Sequence, residues 1–417
     1  MSYIGVLPDD HLTQLAEIVA RAYPGINIRT FEEKQRYAER LRARQAEDPS
    51  ARLYGLYRDD MLLGGMRLFD FRLNLLGHLL PAGGVGLVAV DLTHKKEKVA
   101  KELITAFLQH YQAQGAAIAL LYPFRPDFYK QMGFGFGTKI NQYRIRPAQL
   151  PQGPTKQHIR FVTADDVPPM LECYNRYVAV THGMIERAAV QIAGLLANPE
   201  YSVVGYEHNG RIEGYLAFSF KSAKPDHFLL NDLHVEELIY EHPAALAELL
   251  TFLHSQADQC NMVVLSTQDE HLHFLLDDPR NTSNHLIPHV YHESNVQGVG
   301  IMYRVLDTRQ LFEQLREHNF GGQTVTLRLM VRDSFFPANK GPITIAFTSG
   351  HPTMEDDVAA QVEVELDVAD FSSLVVGAVP FRRLHAYSRA RISDAAYIPV
   401  IDALFAVAEK PVCVTRF

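Results

Sequence analysis

The 417-residue sequence is poor in cysteine, with only Cys173, Cys260 and Cys413, far apart and odd in number. No two of them form a C-x-x-C pair, so neither a disulfide framework nor a structural zinc site is expected, and a reducing cytoplasmic setting fits best. An excess of positive charge is also missing: 40 Lys and Arg stand against 48 Asp and Glu, a formal net charge of −8. That balance argues against nucleic acid or an anionic membrane as the main partner. No apolar run reads as a membrane span, because the most apolar stretch, Leu73 to Val90, is broken by Asn74, His78, Pro81 and four glycines. The opening residues, MSYIGVLPDDHL, lack a basic segment followed by an apolar run, so no signal peptide is expected there. The P-loop, G-x-S-x-G and H-E-x-x-H patterns are absent, as is any low-complexity tract. Gly133, Gly135 and Gly137 are not followed by a convincing helix, which disfavours a dinucleotide site.

What is present is an ordinary globular composition, 47% apolar and 21% charged, enough to bury sizeable cores. Its length allows about two to four domains. In residues 1–150, Leu12, Leu15, Ala16 and Val19 fall at helical spacing behind Asp9 and Asp10, and a charged helix follows over Phe31 to Gln45. Asp59-Asp60 reads as a hairpin turn, Val99 to Leu108 as a helix with one apolar stripe, and Ala116 to Tyr122 as a buried strand. Tyr143 to Ile145 reads as a closing strand before a proline-rich break. Residues 151–295 repeat this outline, with a hairpin at Asn209-Gly210 and a strand–helix–strand from Val235 to Ser266. Residues 296–417 open on the strand GIMYRVLD, continue through alternating strands such as QVEVELDV, and end with an apolar helix over Tyr397 to Ala408.

Two segments carry chemistry. In VAVDLTHKKEKVA, from Val88 to Ala100, a strand runs through a polar turn into a basic helix start. Free N–H groups at a helix start, with lysines beside them, hold phosphate. In LLYPFRPDFYKQMGFGFG, from Leu120 to Gly137, a second strand and turn bring up Tyr129. The corresponding turn of the second segment, IYEHPAA, has no basic cluster, which marks a scaffold copy. His289 and His292 could share one helix face and bind a metal, but no cysteine or patterned carboxylate completes a site.

Together these segments resemble the GNAT acetyltransferases, and the order of units resembles the Eis-like group. The resemblance implies two tandem GNAT-like mixed-sheet domains, the first catalytic (1–150) and the second degenerate (151–295), followed by a sterol-carrier-like α+β domain (296–417). It implies acetyl-CoA as co-substrate and no metal. Val88, Ala89 and Val90 would be the strand that offers its backbone to the pantetheine arm. Lys95, Lys96, Glu97, Lys98, Val99, Ala100 and Lys101 would be the pyrophosphate turn and first helical turn. Lys98 stands where the family carries glycine, and Glu97 adds a negative charge. Phe124 and Arg125 would line the coenzyme path. Tyr129 would be the general acid that protonates the leaving thiolate. The Phe417 carboxylate would reach back as a base toward the acceptor. Implied acceptors are aminoglycosides, polyamines or lysine side chains, and the implied assembly is a homo-oligomer, often a hexamer. The competing expectation is a non-catalytic small-molecule or lipid-binding protein on the same scaffold.

Overall fold

The computed structural model describes residues 2–224, 227, 229–339, 341–355 and 357–417. After β1 (Ser2–Val6) come α1 (Leu12–Ala22) and α2 (Phe31–Glu47). The long strands β2 (Ala51–Arg58), β3 (Met61–Leu75) and β4 (His78–Val90) follow, then α3 (Val99–Ala113), β5 (Ile118–Leu121), α4 (Pro126–Gln131) and β6 (Gly135–Phe136). The next stretch holds β7 (Ile140–Ile145), β8 (Ile159–Phe161), α5 (Val167–Val180), α6 (Ala189–Leu196), β9 (Ser202–His208) and β10 (Arg211–Ser222). It continues with β11 (Asn231–Tyr240), α7 (Pro243–His254), β12 (Cys260–Thr267), a small hairpin of β13 (Leu286–Ile287) and β14 (Tyr291–His292), and β15 (Val296–Gly298). The last stretch holds β16 (Met302–Val305), α8 (Thr308–Gln314), β17 (Val325–Arg332), β18 (Pro342–Thr348), β19 (His351–Met354) and β20 (Val362–Asp367). It ends with α9 (Val368–Val375), α10 (Phe381–Ala386), β21 (Ala390–Ile392) and α11 (Ile398–Leu404).

Local sequence explains most of these elements. The α1 stripe of Leu12, Leu15, Ala16 and Val19 is fully buried. Asp9 and Asp10 do not cap α1; they form a short 3₁₀ turn before it. Thr30 and Glu33 close a capping box at the start of α2. The tight hairpins sit on residue pairs with positive φ, Asp59 (50°) with Asp60 (63°) and Asn209 (53°) with Gly210 (75°), as two-residue turns between twisted strands require. His289 lies in the connection between β13 and β14 and His292 on β14, so the two do not share a helix.

The chain forms two compact units. One gathers residues up to Gly137 with Ile301–Lys410 and Thr415–Phe417; the other gathers Thr138–Gly300 and Pro411–Val414. In the first, a seven-stranded sheet has the order β1-β2-β3-β4-β5-β16-β6. In the second, the order is β15-β7-β12-β11-β10-β9-β8. The strand over Tyr143 to Ile145 therefore does not close the first sheet. It lies between β15 and β12 of the second, and β16 takes the matching place in the first, antiparallel to both β5 and β6. Each segment is a short strand whose pattern marks its buried positions but not its neighbours.

The first unit also contains a five-stranded sheet, β19-β18-β17-β20-β21, in which β17 and β20 run parallel. Phe312, Phe320, Phe347, Phe371 and Phe405 stack through its interior, with neighbouring ring centroids 5.5–6.3 Å apart. Helix α9 rests on β6 and β16 so closely that a Cβ on Gly135 would sit 2.0 Å from the Ala369 carbonyl oxygen. Beneath it Arg304, fully buried, pairs with Asp333 at 2.6 Å. Among the described residues no helix is long and apolar enough to cross a membrane.

Candidate active site

The site begins where β4 parts from β5. Their parallel pairing ends at Val85 with Leu121, while β4 stays paired to β3 as far as Val90. Between Gly86 and Ala89 the register with β3 slips, and Leu87 takes φ = 49°. That is a β-bulge, which bends one strand away from its neighbour. Past the bulge the Asp91 N–H bonds the Leu63 carbonyl. By alternation Ala89 also faces β3, and Val88 and Val90 turn their backbone groups to the open side. The Tyr23 hydroxyl donates to the Val88 carbonyl at 2.6 Å, which confirms that direction.

Beyond β4 the chain turns through Leu92–His94 into α3. Lys96 and Lys98 both lie in the left-handed region, at φ = 69° and 68°. This explains why a glycine suits the second position: an L-residue there costs ~1–2 kcal/mol. The lysine accepts that conformation, so the turn keeps its shape. Lys98 is the N-cap of α3 and offers no side-chain cap. The N–H groups of Val99, Ala100 and Lys101 have no acceptor among the described residues. Glu97 does not repel an anion freely, because Arg58 holds its carboxylate at 3.1 Å and His94 lies 3.0 Å away. Lys95, Lys96 and Lys98 have no ion-pair partner among the described residues. The Lys101 ammonium lies over the Phe335 ring at 5.3 Å.

Tyr129 lies on α4 and is only 3% exposed. Its ring is held edge-on by Phe124, Phe128 and Phe134, at 5.9, 5.3 and 6.0 Å. Burial, with a smaller push from Tyr23, raises its phenol well above the ordinary tyrosine value, so it stays protonated across the physiological range. Phe124 also meets Tyr23 edge-on at 6.3 Å. Tyr23 thus links the Val88 carbonyl to the aromatic group around Tyr129. Arg125 stands apart, in an exposed fork with Asp127 at 2.5 Å.

The C-terminus reaches the same strand. Tyr122, next after β5, donates its hydroxyl to the Thr415 carbonyl at 2.9 Å. The Phe417 ring packs on Phe69, Phe71 and Tyr122 at 5.4, 4.8 and 5.1 Å. A Cβ added at Gly86 would meet the Phe417 carboxyl carbon at 3.1 Å. The Phe417 carboxyl carbon therefore abuts the first residue of β4 beyond its pairing with β5. Val88, Ala89 and Val90 lie along this opening, and the Phe417 carboxyl group lies at Gly86, where it begins. The turn from Lys95 to Lys101 lies at its end, and Tyr129 joins through Tyr23. Sequence reading missed Gly86, Tyr23 and Arg58. Gly86 sits in a run of small residues whose signal is generic, and the other two are ordinary surface types until the fold places them.

A cavity of about 510 Å³ opens beside α4, lined by Lys130, Asp333, Phe335, Asp367 and Arg389 among others. It does not include Tyr129, and Lys130 and Arg389 both pair with Asp370. Its basic groups are thus already engaged, and the splay of β4 is the stronger candidate. Among the described residues no group of three or more His, Cys, Asp or Glu side chains is placed to hold a metal ion.

Residues 5–137 match the acetyltransferase (GNAT) domain, residues 183–305 match a second family of the same description, and residues 309–414 match the sterol carrier protein domain. An uncharacterized N-acetyltransferase of Streptomyces avermitilis is 27% identical over 222 residues, 48% of this chain and 53% of that protein. The chain spans about half the length of the curated relatives it matches. Among solved structures, a GCN5-related N-acetyltransferase from Anabaena variabilis aligns over 100% of both chains with a TM-score of 0.82 and 17% identity. Eis1 from Mycobacterium abscessus aligns over 100% of both chains with a TM-score of 0.77 and 18% identity. At such identities the likeness is one of fold.

Proposed function

The chain belongs to the GNAT acetyltransferases, with the Eis-like order of two GNAT domains and a sterol carrier domain, and from that premise we propose that it moves an acetyl group from acetyl-CoA to a primary amine. One observation carries the reading: the opened β4 edge leads straight into an uncapped helix start, flanked by unpaired lysines. Unpaired N–H groups at Val99, Ala100 and Lys101, with Lys95, Lys96 and Lys98 beside them, suit a pyrophosphate. The open side of Val88 and Val90 suits the amide groups of a pantetheine arm.

Acetyl-CoA supplies an activated thioester. The protein's part is to hold it and to manage protons. A backbone N–H on the open edge of β4 would polarise the acyl oxygen. Tyr129, kept protonated by its burial, would donate its proton to the departing sulfur as the new N–C bond forms and the C–S bond breaks. A terminal carboxyl, with an ordinary pKa of ~3.3–3.7, is ionised and a weak base. The Phe417 carboxylate would therefore orient the amine electrostatically and receive its proton late or through water. Aminoglycosides, polyamines and lysine side chains share a primary amine, and the mechanism uses nothing else of them. The three buried free thiols suit a cytoplasmic location, which we include in the reading, together with a homo-oligomeric assembly such as a hexamer.

The test is thermal. Millimolar acetyl-CoA is expected to raise the melting temperature by mass action, and Lys96→Glu with Lys98→Glu is expected to abolish the shift. No shift in the unaltered protein would leave a non-catalytic binding protein on this scaffold.

A further inference from the structure

The sheet face that receives the C-terminus also carries an unpaired cation. Arg67 on β3 stands directly across from Gly86 on β4, so the two share a face. Phe69, two residues further, lies on that face as well. The Arg67 guanidinium lies 5.1 Å from the Phe69 ring centroid, and that ring meets Phe417 at 5.4 Å. The Phe417 carboxyl carbon rests 3.1 Å from the Cβ position of Gly86. One small area therefore holds a carboxylate, a guanidinium and the aromatic rings of Phe69, Phe71 and Phe417.

The two charges are not joined. Neither Arg67 nor Phe417 has an ion pair or a polar hydrogen bond to a side chain among the described residues. Were Arg67 there to anchor the terminal carboxylate, the two would be paired. The surroundings do not satisfy Arg67 either. It is half-buried, and Arg44 of α2 acts on it with a like charge that Asp48 and the Tyr37 phenol, at the same helix, only partly offset. Asp48 is already engaged by the Ser50 N–H and hydroxyl at 3.1 and 2.5 Å. A half-buried, unpaired guanidinium is a recognition group for an oxyanion, which it can bind in a bidentate fork.

Resting on the function proposed above, we propose that the acceptor is an amine that also carries an oxyanion, a carboxylate or a phosphate. Its anionic group sits on Arg67 and its amino group at the Phe417 carboxylate, with its apolar body against Phe69 and Phe71. A polycation would meet Arg67 and Arg44 instead of a partner.

The experiment follows thiol release by the full-length protein with acetyl-CoA and matched amines: phenylalanine against phenylalaninamide, and phosphoethanolamine against ethanolamine, with spermidine as the polycation. At least one anionic member is expected to exceed its neutral partner and spermidine by about 10- to 100-fold in kcat/KM, the scale of a charge-assisted contact. The pair that shows the effect tells carboxylate from phosphate. In Arg67→Gln the preference is expected to fall to within about twofold, with partial recovery in Arg67→Lys, while both variants keep the full thermal shift with acetyl-CoA. Equal or better turnover of amide, ethanolamine or spermidine by the unaltered protein would overturn the inference, as would a preference that survives Arg67→Gln. A missing coenzyme shift in the unaltered protein would remove the proposed function itself, and this inference with it.

Discussion

In the first GNAT sheet β4 leaves β5 after Val85, and in the second β11 leaves β12 after Val235. Both departing strands are bulged at that point, β4 against β3 and β11 against β10. Their continuations differ. On β4 the stretch beyond the bulge keeps an open edge and runs into a helix with no side-chain cap. On β11 the same stretch holds Glu237, which is bonded to Arg187 at 2.7 and 2.9 Å and to the Tyr215 hydroxyl. Helix α7 then starts on His242, whose ring accepts from the Ala245 N–H and pairs with Glu213 at 3.1 Å. Pro243 removes one more N–H from that end. One backbone thus serves two ends. Where three donors are left free it suits a phosphate carrier, and where one is capped and another removed by proline it suits a support.

The sharpest way to break this comparison is in the second sheet. Glu237→Leu strands a buried guanidinium and is expected to cost about 3–5 kcal/mol of stability, read by denaturant unfolding, with no change in the acetyl-CoA KM of the folded fraction. A coenzyme defect in that variant would mean the second sheet shares in binding. Next in size, Tyr129→Phe is expected to slow transfer about 100-fold while keeping the coenzyme-induced thermal shift. Because the phenol's pKa is raised, the acid form persists as pH increases. A pH–rate profile should therefore show no Tyr129-dependent falling limb up to about pH 10. Adding one residue after Phe417 displaces the carboxylate from Gly86 and is expected to lower kcat about tenfold, the loss of roughly 1.4 kcal/mol of orientation. The smallest effect is at Lys98. Replacing it by glycine relieves a left-handed L-residue and is expected to gain about 1 kcal/mol, whereas Lys98→Ala, which keeps the Cβ, should gain nothing.

Much of this was legible in the sequence where the signal is local. The α1 stripe, the Asp59-Asp60 and Asn209-Gly210 turns and the strand–turn–helix around Lys96 all arise from short-range chemistry. The left-handed turn at Lys98 was not, since a lysine gives no hint of positive φ. The exchange of β7 and β16 was hidden because a buried strand's pattern records its faces, not which sheet it joins. Arg58 beside Glu97 was invisible for a similar reason: it lies 39 residues away in sequence. Phe417 was singled out by resemblance, but only the fold shows Gly86 making room for its carboxylate.

Calorimetric titration of acetyl-CoA into the full-length protein, with and without Lys96→Glu and Lys98→Glu, tests most directly the claim that one sheet is open and the other closed. One coenzyme per chain is expected, and none in the charge-reversed variant. Two per chain, or binding that survives the reversal, would contradict it.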